Sequence, residues 1–132
     1  MLTTITVYLI DDDLDDHTFF TMAIERMYRS IRCEFACNGL EAVHRLQSDR
    51  NFIPDFVFID INMPLMNGVH CLKEILKIPR LNKAALYMYS TSADPLISSS
   101  CIALGATGVI KKMAGINDLK DTLLQVFQQQ RV

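Results

Sequence analysis

The side chain in this sequence best placed to do chemistry is Asp60, which ends a run of apolar residues. Positions 56–59 lead directly into this carboxylate, and a stretch rich in turn-forming residues, 61–68, follows it. A short apolar run bounded by turn signals is typical of a strand buried on both faces, as in a parallel sheet. Asp60 is then expected at the carboxyl end of that strand, where open α/β sheets place their ligand sites. Because an unpaired, half-buried carboxylate is unstable, we expect counter-groups at the ends of other strands.

A second group of carboxylates follows the first apolar run of the chain. Five aspartates lie between positions 11 and 16. Asp15 and Asp16 suit the first turn of a helix, where the helix dipole favours negative charge. Asp11 and Asp12 are instead expected at the strand end beside Asp60, and two carboxylates about 4 Å apart repel by roughly 4 kcal/mol at an effective dielectric near 20. A hard divalent cation relieves this repulsion, and Mg²⁺ typically takes one or two carboxylates. The sequence therefore predicts a Mg²⁺ site at this strand end.

Hydroxyl and ammonium groups follow the last two predicted strands. Residues 90–92 are Ser-Thr-Ser, and the pair Lys111 and Lys112 ends the fifth strand. Taken singly, a hydroxyl at a strand end is often a turn or capping group, and a lysine there is often solvated. Together with a cation they would converge on one carboxylate, an arrangement suited to moving a phosphoryl group onto Asp60. Aspartate is a recognised nucleophile for phosphoryl transfer, whose catalysis needs mainly positioning and charge neutralisation.

The composition places the chain among globular proteins. Its 132 residues are half apolar and carry a net charge of −2, which gives no reason to expect nucleic-acid binding. There is no apolar run of the roughly 18 residues that a membrane span needs and no export signal, so a cytoplasmic protein is expected. The cysteines show no metal spacing and are predicted to be free thiols in the core: Cys33, Cys37, Cys71 and Cys101. The histidines are predicted to be solvated or partly packed: His17, His44 and His70.

Predicted strands and helices alternate along the whole chain. The strands are expected at 4–10, 31–36, 56–60, 84–90 and 108–111, and the helices at 15–28, 40–47, 69–77, 93–104 and 116–129. In the second helix Asn38 is the expected cap, and Leu40, Val43 and Leu46 are expected to face inward. Five β-α units in succession indicate an α/β fold, a parallel sheet with helices on both faces and right-handed crossovers. No linker or repeat interrupts the chain, so residues 1–132 are predicted to form one domain.

At this point the sequence resembles the receiver domain of two-component response regulators over essentially its whole length. The residues that carry the resemblance are 8–13 (Tyr-Leu-Ile-Asp-Asp-Asp), 60–68 (Asp-Ile-Asn-Met-Pro-Leu-Met-Asn-Gly), Ser90-Thr91, Gly105-Ala106 and Lys112. The set is specific, although each motif alone is weak. The resemblance implies a flavodoxin-like (βα)5 fold with strand order 2-1-3-4-5.

The resemblance also implies roles for the carboxylates. Asp60 would accept a phosphoryl group from the phosphohistidine of a sensor histidine kinase or of a histidine phosphotransfer protein. Asp12 and Asp60 would bind Mg²⁺ directly, together with the backbone carbonyl of Asn62. Asp11 would act on the metal mainly through water.

Family spacing selects the two groups expected to contact the phosphoryl oxygens. Counting back fifteen residues from Gly105 gives Ser90, with Thr91 as the neighbouring candidate. Counting forward seven gives Lys112, and Lys111 would then point to the opposite face of its strand.

Two positions depart from the family pattern. Val109 stands where many family members carry an aromatic switch residue, so rotation of a buried aromatic ring is not expected. Met113 replaces the proline that commonly follows the lysine, and a trans peptide bond is expected there because a non-proline cis bond costs about 2.5–4 kcal/mol. Signalling would then depend on the loop and helix after the fourth strand.

The resemblance implies a stand-alone regulator of the chemotaxis or phosphorelay type, which promotes only its own phosphorylation and dephosphorylation. No output domain is expected within 1–132. Phosphorylation would change the affinity of one face, formed by 93–104, the fifth strand and 116–129, for a downstream protein that the sequence does not identify. An apolar surface on the side of the fourth and fifth strands could support a homodimer.

Three other functions fit parts of the pattern. A Mg²⁺-dependent phosphatase with an aspartyl nucleophile usually has a second acid two residues further on, where this chain has Asn62. A flavodoxin-like FMN carrier would want a phosphate-cradling loop after the first strand, where this chain has aspartates. A receiver-shaped docking module that is never phosphorylated would not require the combination of Asp60 with Ser90 and Lys112.

Overall fold

The computed structural model describes residues 4–92 and 94–130, which alternate between strands and helices. The strands are β1 (Ile5–Ile10), β2 (Ile31–Ala36), β3 (Phe56–Asp60), β4 (Ala85–Ser90) and β5 (Gly108–Lys111). The helices are α1 (Leu14–Glu25), α2 (Gly39–Ser48), α3 (Gly68–Leu76), α4 (Pro95–Leu104) and α5 (Ile116–Gln129), and a short 3-10 helix, Pro79–Leu81, follows α3. The predicted order of elements is therefore confirmed.

All strand pairs are parallel, and the sheet order is β2-β1-β3-β4-β5. The register aligns the carboxyl ends of the strands: Asp60 lies opposite Tyr89, and Ser90 lies opposite Lys111. The doubly wound, flavodoxin-like arrangement with order 2-1-3-4-5 is confirmed. Residues that follow β1, β3, β4 and β5 consequently meet at one edge of the sheet.

Two apolar layers cover the two faces of the sheet. Every residue of β3 is buried, as expected for a central strand covered on both faces. One layer packs α1 and α5 on the sheet and includes Phe20, Phe58 and Leu123. The other packs α2, α3 and α4 on the opposite face and includes Ile59 and Leu72. Full burial of each such side chain contributes about 1.5–3 kcal/mol, which holds the strand ends in place.

Polar caps fix where the helices begin. Asp13, Asn38 and Asn67 each accept a hydrogen bond from a backbone N–H in the first turn of α1, α2 and α3, respectively. The prediction of Asn38 as a cap is confirmed. Asp15 and Asp16 lie in the first turn of α1, as predicted, where negative charge is favoured.

Several details of the predicted helices differ in the structure. The first helix ends at Glu25, and the buried Met27 follows it outside the helix. In α2 the prediction for Leu40 was wrong, because its side chain is 50% exposed and Ala42 lies inward in addition to Val43 and Leu46. Because successive helical residues turn through about 100°, position 42 shares the inward face with 43 and 46, and position 40 does not. The fourth helix begins at Pro95, and the predicted start at position 93 lies outside the described residues.

The cysteines are free, but only Cys71 and Cys101 are buried. Cys33 is half-buried on the edge strand β2, and the prediction of a core position was wrong for Cys37, which is exposed after that strand ends. An edge strand has a neighbour on one side only, so its residues are less covered. The histidines match expectation, since two are exposed and His17 is half-buried. Within residues 4–92 and 94–130, no helix combines the length and apolar character that a bilayer crossing requires.

Candidate functional site

Three carboxylates meet at the carboxyl edge of the sheet. Asp11, Asp12 and Asp60 each place one oxygen within 4.8 Å of the others. Ile10 and Ile59 are register partners, so the residues that follow them in β1 and β3 lie side by side. Asp11 is fully buried and Asp60 is 7% exposed, whereas Asp12 faces solvent. The structure therefore brings together the three aspartates that the sequence selected.

The turn after β3 is built around a close approach of two backbone segments. The N–H of Gly68 donates to the carbonyl of Ile61 at 2.8 Å. A Cβ at Gly68 would overlap the carbonyl oxygen of Asp60, so only glycine fits at the start of α3. Leu65 has a φ of 70° in the same turn, a conformation that side chains rarely adopt. These constraints fix the path of the backbone after β3 and thereby the position of Asp60 at the end of that strand.

Local hydrogen bonds orient the buried carboxylate of Asp11. Its Oδ1 accepts a hydrogen bond from the N–H of Asp13 at 2.9 Å. Its carbonyl accepts from Nε2 of His17 at 2.6 Å, and the imidazole stacks on Phe35 with 4.8 Å between ring centroids. The Oδ2 of Asp11 is buried, and its polar partner among the described residues is the Lys112 ammonium at 3.0 Å. That oxygen is thus placed to contact a cation.

Lys112 supplies positive charge beside the carboxylates. Its Nζ lies 2.6 Å from Asp16, 3.0 Å from Asp11 and 3.6 Å from Asp60. The ammonium also lies 5.2 Å from the ring centroid of Tyr89. Burial lowers the pKa of Lys112, but the hydrogen bonds to Asp16 and Asp11 outweigh it and raise that pKa overall. The ammonium is therefore charged at any physiological pH. Lys111, by contrast, is exposed.

The electrostatics of the site raise the pKa of its two buried carboxylates, Asp60 and Asp11. Burial, followed by repulsion from Asp11, raises the pKa of Asp60 to about 7, against the opposing effect of Lys112. Burial likewise raises the pKa of Asp11 above its ordinary value. The Lys112 ammonium is shared among Asp11, Asp16 and Asp60 and does not neutralise them all.

The residues present fit a divalent cation. Every candidate donor is a carboxylate oxygen, the donor type that Mg²⁺ and Mn²⁺ prefer. The buried Oδ2 of Asp11 is already paired with one cationic group, the Lys112 ammonium at 3.0 Å, and Asp12 opens the cluster to solvent. The cluster thus offers the donor chemistry that a divalent metal ion requires. Asn62 follows in the turn, where its N–H donates to Oδ1 of Asp60 at 3.3 Å. A ligand role for the Asn62 carbonyl stays a prediction.

Ser90 ends β4 at the same edge, but its hydroxyl is engaged within its own turn. The Oγ donates to the carbonyl of Ser92 at 2.8 Å and accepts from the N–H of that residue at 3.3 Å. The side chain is 3% exposed, whereas the neighbouring candidate Thr91 is exposed. Contact between Ser90 and a phosphoryl group would require this hydroxyl to turn, so its role stays a prediction.

Sequence reasoning missed two members of the site. Asp16 was assigned only to the first turn of α1, yet it makes the shortest ion pair with Lys112. Tyr89 lies beneath the ammonium of Lys112 and against Phe20. No local signal distinguishes Asp16 from Asp15, because which of them points toward the sheet depends on how α1 packs. The alternation of β4 could have placed Tyr89 on the α1 side, but not next to the lysine.

Comparison with known proteins agrees with this geometry. A family model described as the response regulator receiver domain matches residues 7–124. The DNA-binding transcriptional activator EvgA of Escherichia coli (strain K12) is 26% identical over 106 residues, which make up 80% of this chain and 51% of EvgA. The chain therefore spans about half the length of this relative.

Solved structures share the fold across almost the entire chain. The chemotaxis response regulator CheY4 of Vibrio cholerae matches with a TM-score of 0.80 at 26% identity, covering 94% of this chain and 99% of that chain. A chain of the CheX-CheY-BeF3-Mg+2 complex from Borrelia burgdorferi matches with a TM-score of 0.77 at 25% identity, covering 93% of this chain and 89% of that chain. Strand order, carboxylate cluster and family match lead to one conclusion: this chain belongs to the response regulator receiver domain family.

Proposed function

We propose that this receiver domain takes a phosphoryl group onto Asp60 from a phosphohistidine, in a reaction that requires Mg²⁺. The donor would be a sensor histidine kinase or a histidine phosphotransfer protein. The observation that carries the proposal is the convergence on Asp60 of two further aspartates, Asp11 and Asp12, and of the Lys112 ammonium. Receiver domains are signalling domains and not enzymes in the usual sense, so the reaction modifies the protein itself.

The transfer is a displacement at phosphorus. A carboxylate oxygen of Asp60 forms the new O–P bond, the N–P bond of the phosphoimidazole breaks, and its electron pair returns to the ring nitrogen. Bound Mg²⁺ would supply neutralisation of the charge on the transferring group. Asp12, Asp60 and the carbonyl of Asn62 would hold it directly, and Asp11 would act mainly through water. Lys112 lies 3.6 Å from Asp60 and neutralises charge on the phosphoryl oxygens from the other side.

The charge state of Asp60 makes the reaction depend on a cation. A carboxylate must be ionised to act as a nucleophile, and the pKa of Asp60 is raised to about 7, by burial first and then by Asp11. Positive charge placed among the three carboxylates favours the ionised form. Neutralisation of charge on the transferring group is the main reason to expect that phosphorylation requires the divalent cation, even for small, reactive donors.

The phosphorylated site would act through a rearrangement at the ends of β4 and β5. Phosphorylation adds roughly −1.5 to −2 charges beside Lys112. Ser90 would exchange its bond to the carbonyl of Ser92 for a phosphoryl oxygen, and the start of α4 would follow. The face formed by α4, β5 and α5 would then change its affinity for a downstream protein or for a second copy of the chain. We propose that the protein is cytoplasmic and that it binds neither nucleic acid nor membrane.

The experiment that tests this function is incubation with acetyl phosphate and Mg²⁺, followed by intact mass measurement. We expect the mass of one phosphoryl group to be added, and we expect Asp60→Asn or chelation of Mg²⁺ to abolish the addition. Asp15→Asn is the matched control, because it removes an exposed carboxylate of the same acidic segment and should leave the modification intact.

Other outcomes would identify other functions. Modification that persists in Asp60→Asn contradicts the assignment of the acceptor. An unmodified wild-type chain, with acetyl phosphate and with phosphorylated kinases alike, would favour the docking module. Repeated turnover of a small phosphomonoester would favour the phosphatase, although Asn62 stands where that enzyme needs its second acid.

A further inference from the structure

The ammonium of Lys112 is not centred on the proposed acceptor. Its Nζ donates a hydrogen bond to Asp16 at 2.6 Å, whereas Asp60 lies 3.6 Å away. Asp16 belongs to α1, and none of the strand-end motifs includes it. We propose that Asp16 is a positioning residue that holds Lys112 away from Asp60 and thereby keeps the carboxylate cluster available to the divalent cation. The inference rests on the proposed function and adds a residue to that site.

The backbone of Lys112 is held in place by a hydrogen bond, whereas its ammonium contacts several partners. The N–H of Lys112 donates to the carbonyl of Ser90 at 2.7 Å. This bond holds the Cα of Lys112 next to the end of β4. The ammonium lies against the ring of Tyr89, and its side chain is only 12% exposed. The ammonium can therefore move only within a small volume bounded by α1 on one side and the strand ends on the other. Asp16 attracts it toward α1.

Lysine and a divalent cation compete for the same oxygens. Nζ of Lys112 lies 3.0 Å from the buried Oδ2 of Asp11, the oxygen that otherwise accepts no hydrogen bond. An ammonium that paired fully with Asp11 and Asp60 would repel a second cation from the cluster. The carboxylate of Asp16 both offsets that repulsion and holds the ammonium on the far side. Loss of its charge should therefore weaken cation binding.

Asp15 provides a comparison within the same helical turn. It has the same charge and the same position relative to the helix dipole, but it is exposed and makes no ion pair with any residue in 4–92 or 94–130. A long-range effect of removing negative charge should appear in both positions. An effect that acts through Lys112 should appear only at Asp16.

The test is calorimetric titration of the whole chain with Mg²⁺ at pH 7.5. We expect Asp16→Asn to raise the dissociation constant by about five- to tenfold, at the lower end of the usual coupling between two sites, and Asp15→Asn to raise it by less than about twofold. Asp16→Glu keeps the charge and should restore an affinity near that of the wild type. Circular dichroism checks that each variant folds, and Asp16→Ser replaces Asp16→Asn if the latter does not.

A double variant shows whether the effect passes through the lysine. In a Lys112→Met background there is no ammonium to position, so Asp16→Asn should weaken Mg²⁺ binding no more than Asp15→Asn does. Equal effects of the two asparagine variants on wild-type protein, or an Asp16 effect that persists without the lysine, would overturn the inference. The outcome is distinct from that of the acceptor test, because Mg²⁺ affinity is measured without a phosphoryl donor. If acetyl phosphate failed to modify Asp60, the proposed function would fall while the calorimetric result stood.

Discussion

The carboxyl edge of the sheet has two halves that are built differently. The acidic half comprises the segments after β1 and β3, with Asp11, Asp12 and Asp60, and the ammonium of Lys112. Its carboxylates are held by backbone hydrogen bonds and by a turn with room for glycine alone. The relay half comprises the end of β4 and α4. There the Ser90 hydroxyl bonds within its own turn, and α4 buries only Cys101 among its described residues.

The difference separates the groups of the proposed phosphorylation reaction from the segment proposed to move after it. Groups that must stabilise transferring charge are most effective when they are fixed beforehand, and the acidic half is fixed. Segments with few buried apolar contacts open at low free energy, and α4 is such a segment, with Leu96 79% and Ile102 53% exposed. Val109 packs as a half-buried side chain against the α2–α3–α4 layer, so no aromatic ring is present at that position to couple the halves. Movement on phosphorylation should therefore be concentrated in the relay half.

The largest effect on stability is expected in the turn after β3, the most tightly packed segment of the acidic half. In Gly68→Ala the new Cβ would overlap the backbone of Asp60 and Ile61, which cannot rotate away. We expect a loss of more than about 4 kcal/mol in the free energy of unfolding, a value reached only by severe steric or packing defects. Urea denaturation measures it. In the control, Gly115→Ala, the Cβ would meet only the flexible carboxylate of Asp118, and the loss should stay below about 1 kcal/mol.

A smaller loss in Gly68→Ala would change the comparison. If its unfolding free energy fell by no more than that of Gly115→Ala, the turn after β3 would be deformable. The acidic half would then not be the fixed part of the molecule.

The second-largest expected effect is a loss of stability with rising pH, caused by the burial and mutual repulsion of the carboxylates in the acidic half. The pKa of Asp60 is raised to about 7 by burial and then by Asp11, from a value of 3.8 for the unperturbed side chain. Between these values the unfolded chain releases a proton that the folded chain keeps, so metal-free protein loses stability as pH rises through this window. At about 1.4 kcal/mol per pKa unit, the loss approaches 4 kcal/mol above pH 7.

The variant Asp60→Asn removes that titration. In chelator it should be more stable than the wild type by about 2–4 kcal/mol at pH 8, and the difference should disappear toward pH 4. Urea denaturation at several pH values measures both, and Mg²⁺ should narrow the gap at pH 8 by stabilising only the wild type. Asp15→Asn serves as the control for removal of an exposed charge. A difference between Asp60→Asn and wild type that does not vary with pH would mean that repulsion among the carboxylates is not its cause.

Much of the acidic half was predictable because its signals are local. Apolar runs ending in carboxylates placed Asp11 and Asp60 at strand ends, and parallel strands bring such ends together. The strand order came from the family resemblance and not from the apolar pattern, which does not specify which strands are neighbours. The expected trans bond before Met113 is also found, since the described residues contain no cis peptide bond.

The remaining features depend on tertiary packing. Asp15 and Asp16 are equivalent in sequence, and only the rotation of α1 on the sheet directs one of them toward Lys112. The hydroxyl of Ser90 bonds within its own turn, although the sequence equally allows it to face the carboxylate cluster. Leu40 lies at an apolar position that the helix turns toward solvent. The sequence pattern does not specify which of two neighbouring residues makes a contact, or which of two partners it contacts.

The smallest effect is expected in the relay half. Leu96 is 79% exposed on α4, so Leu96→Ser removes little buried surface and should change the free energy of unfolding by less than about 0.5 kcal/mol. Leu72→Ala is the contrasting variant, because that side chain is fully buried on the inner face of α3 and its truncation should cost about 2–5 kcal/mol. Urea denaturation of both in chelator gives the comparison. If Leu96→Ser destabilised the chain by as much as 2 kcal/mol, α4 would depend on that side chain for its packing. The relay half would then be as firmly held as the acidic half, and movement on phosphorylation would have to arise elsewhere.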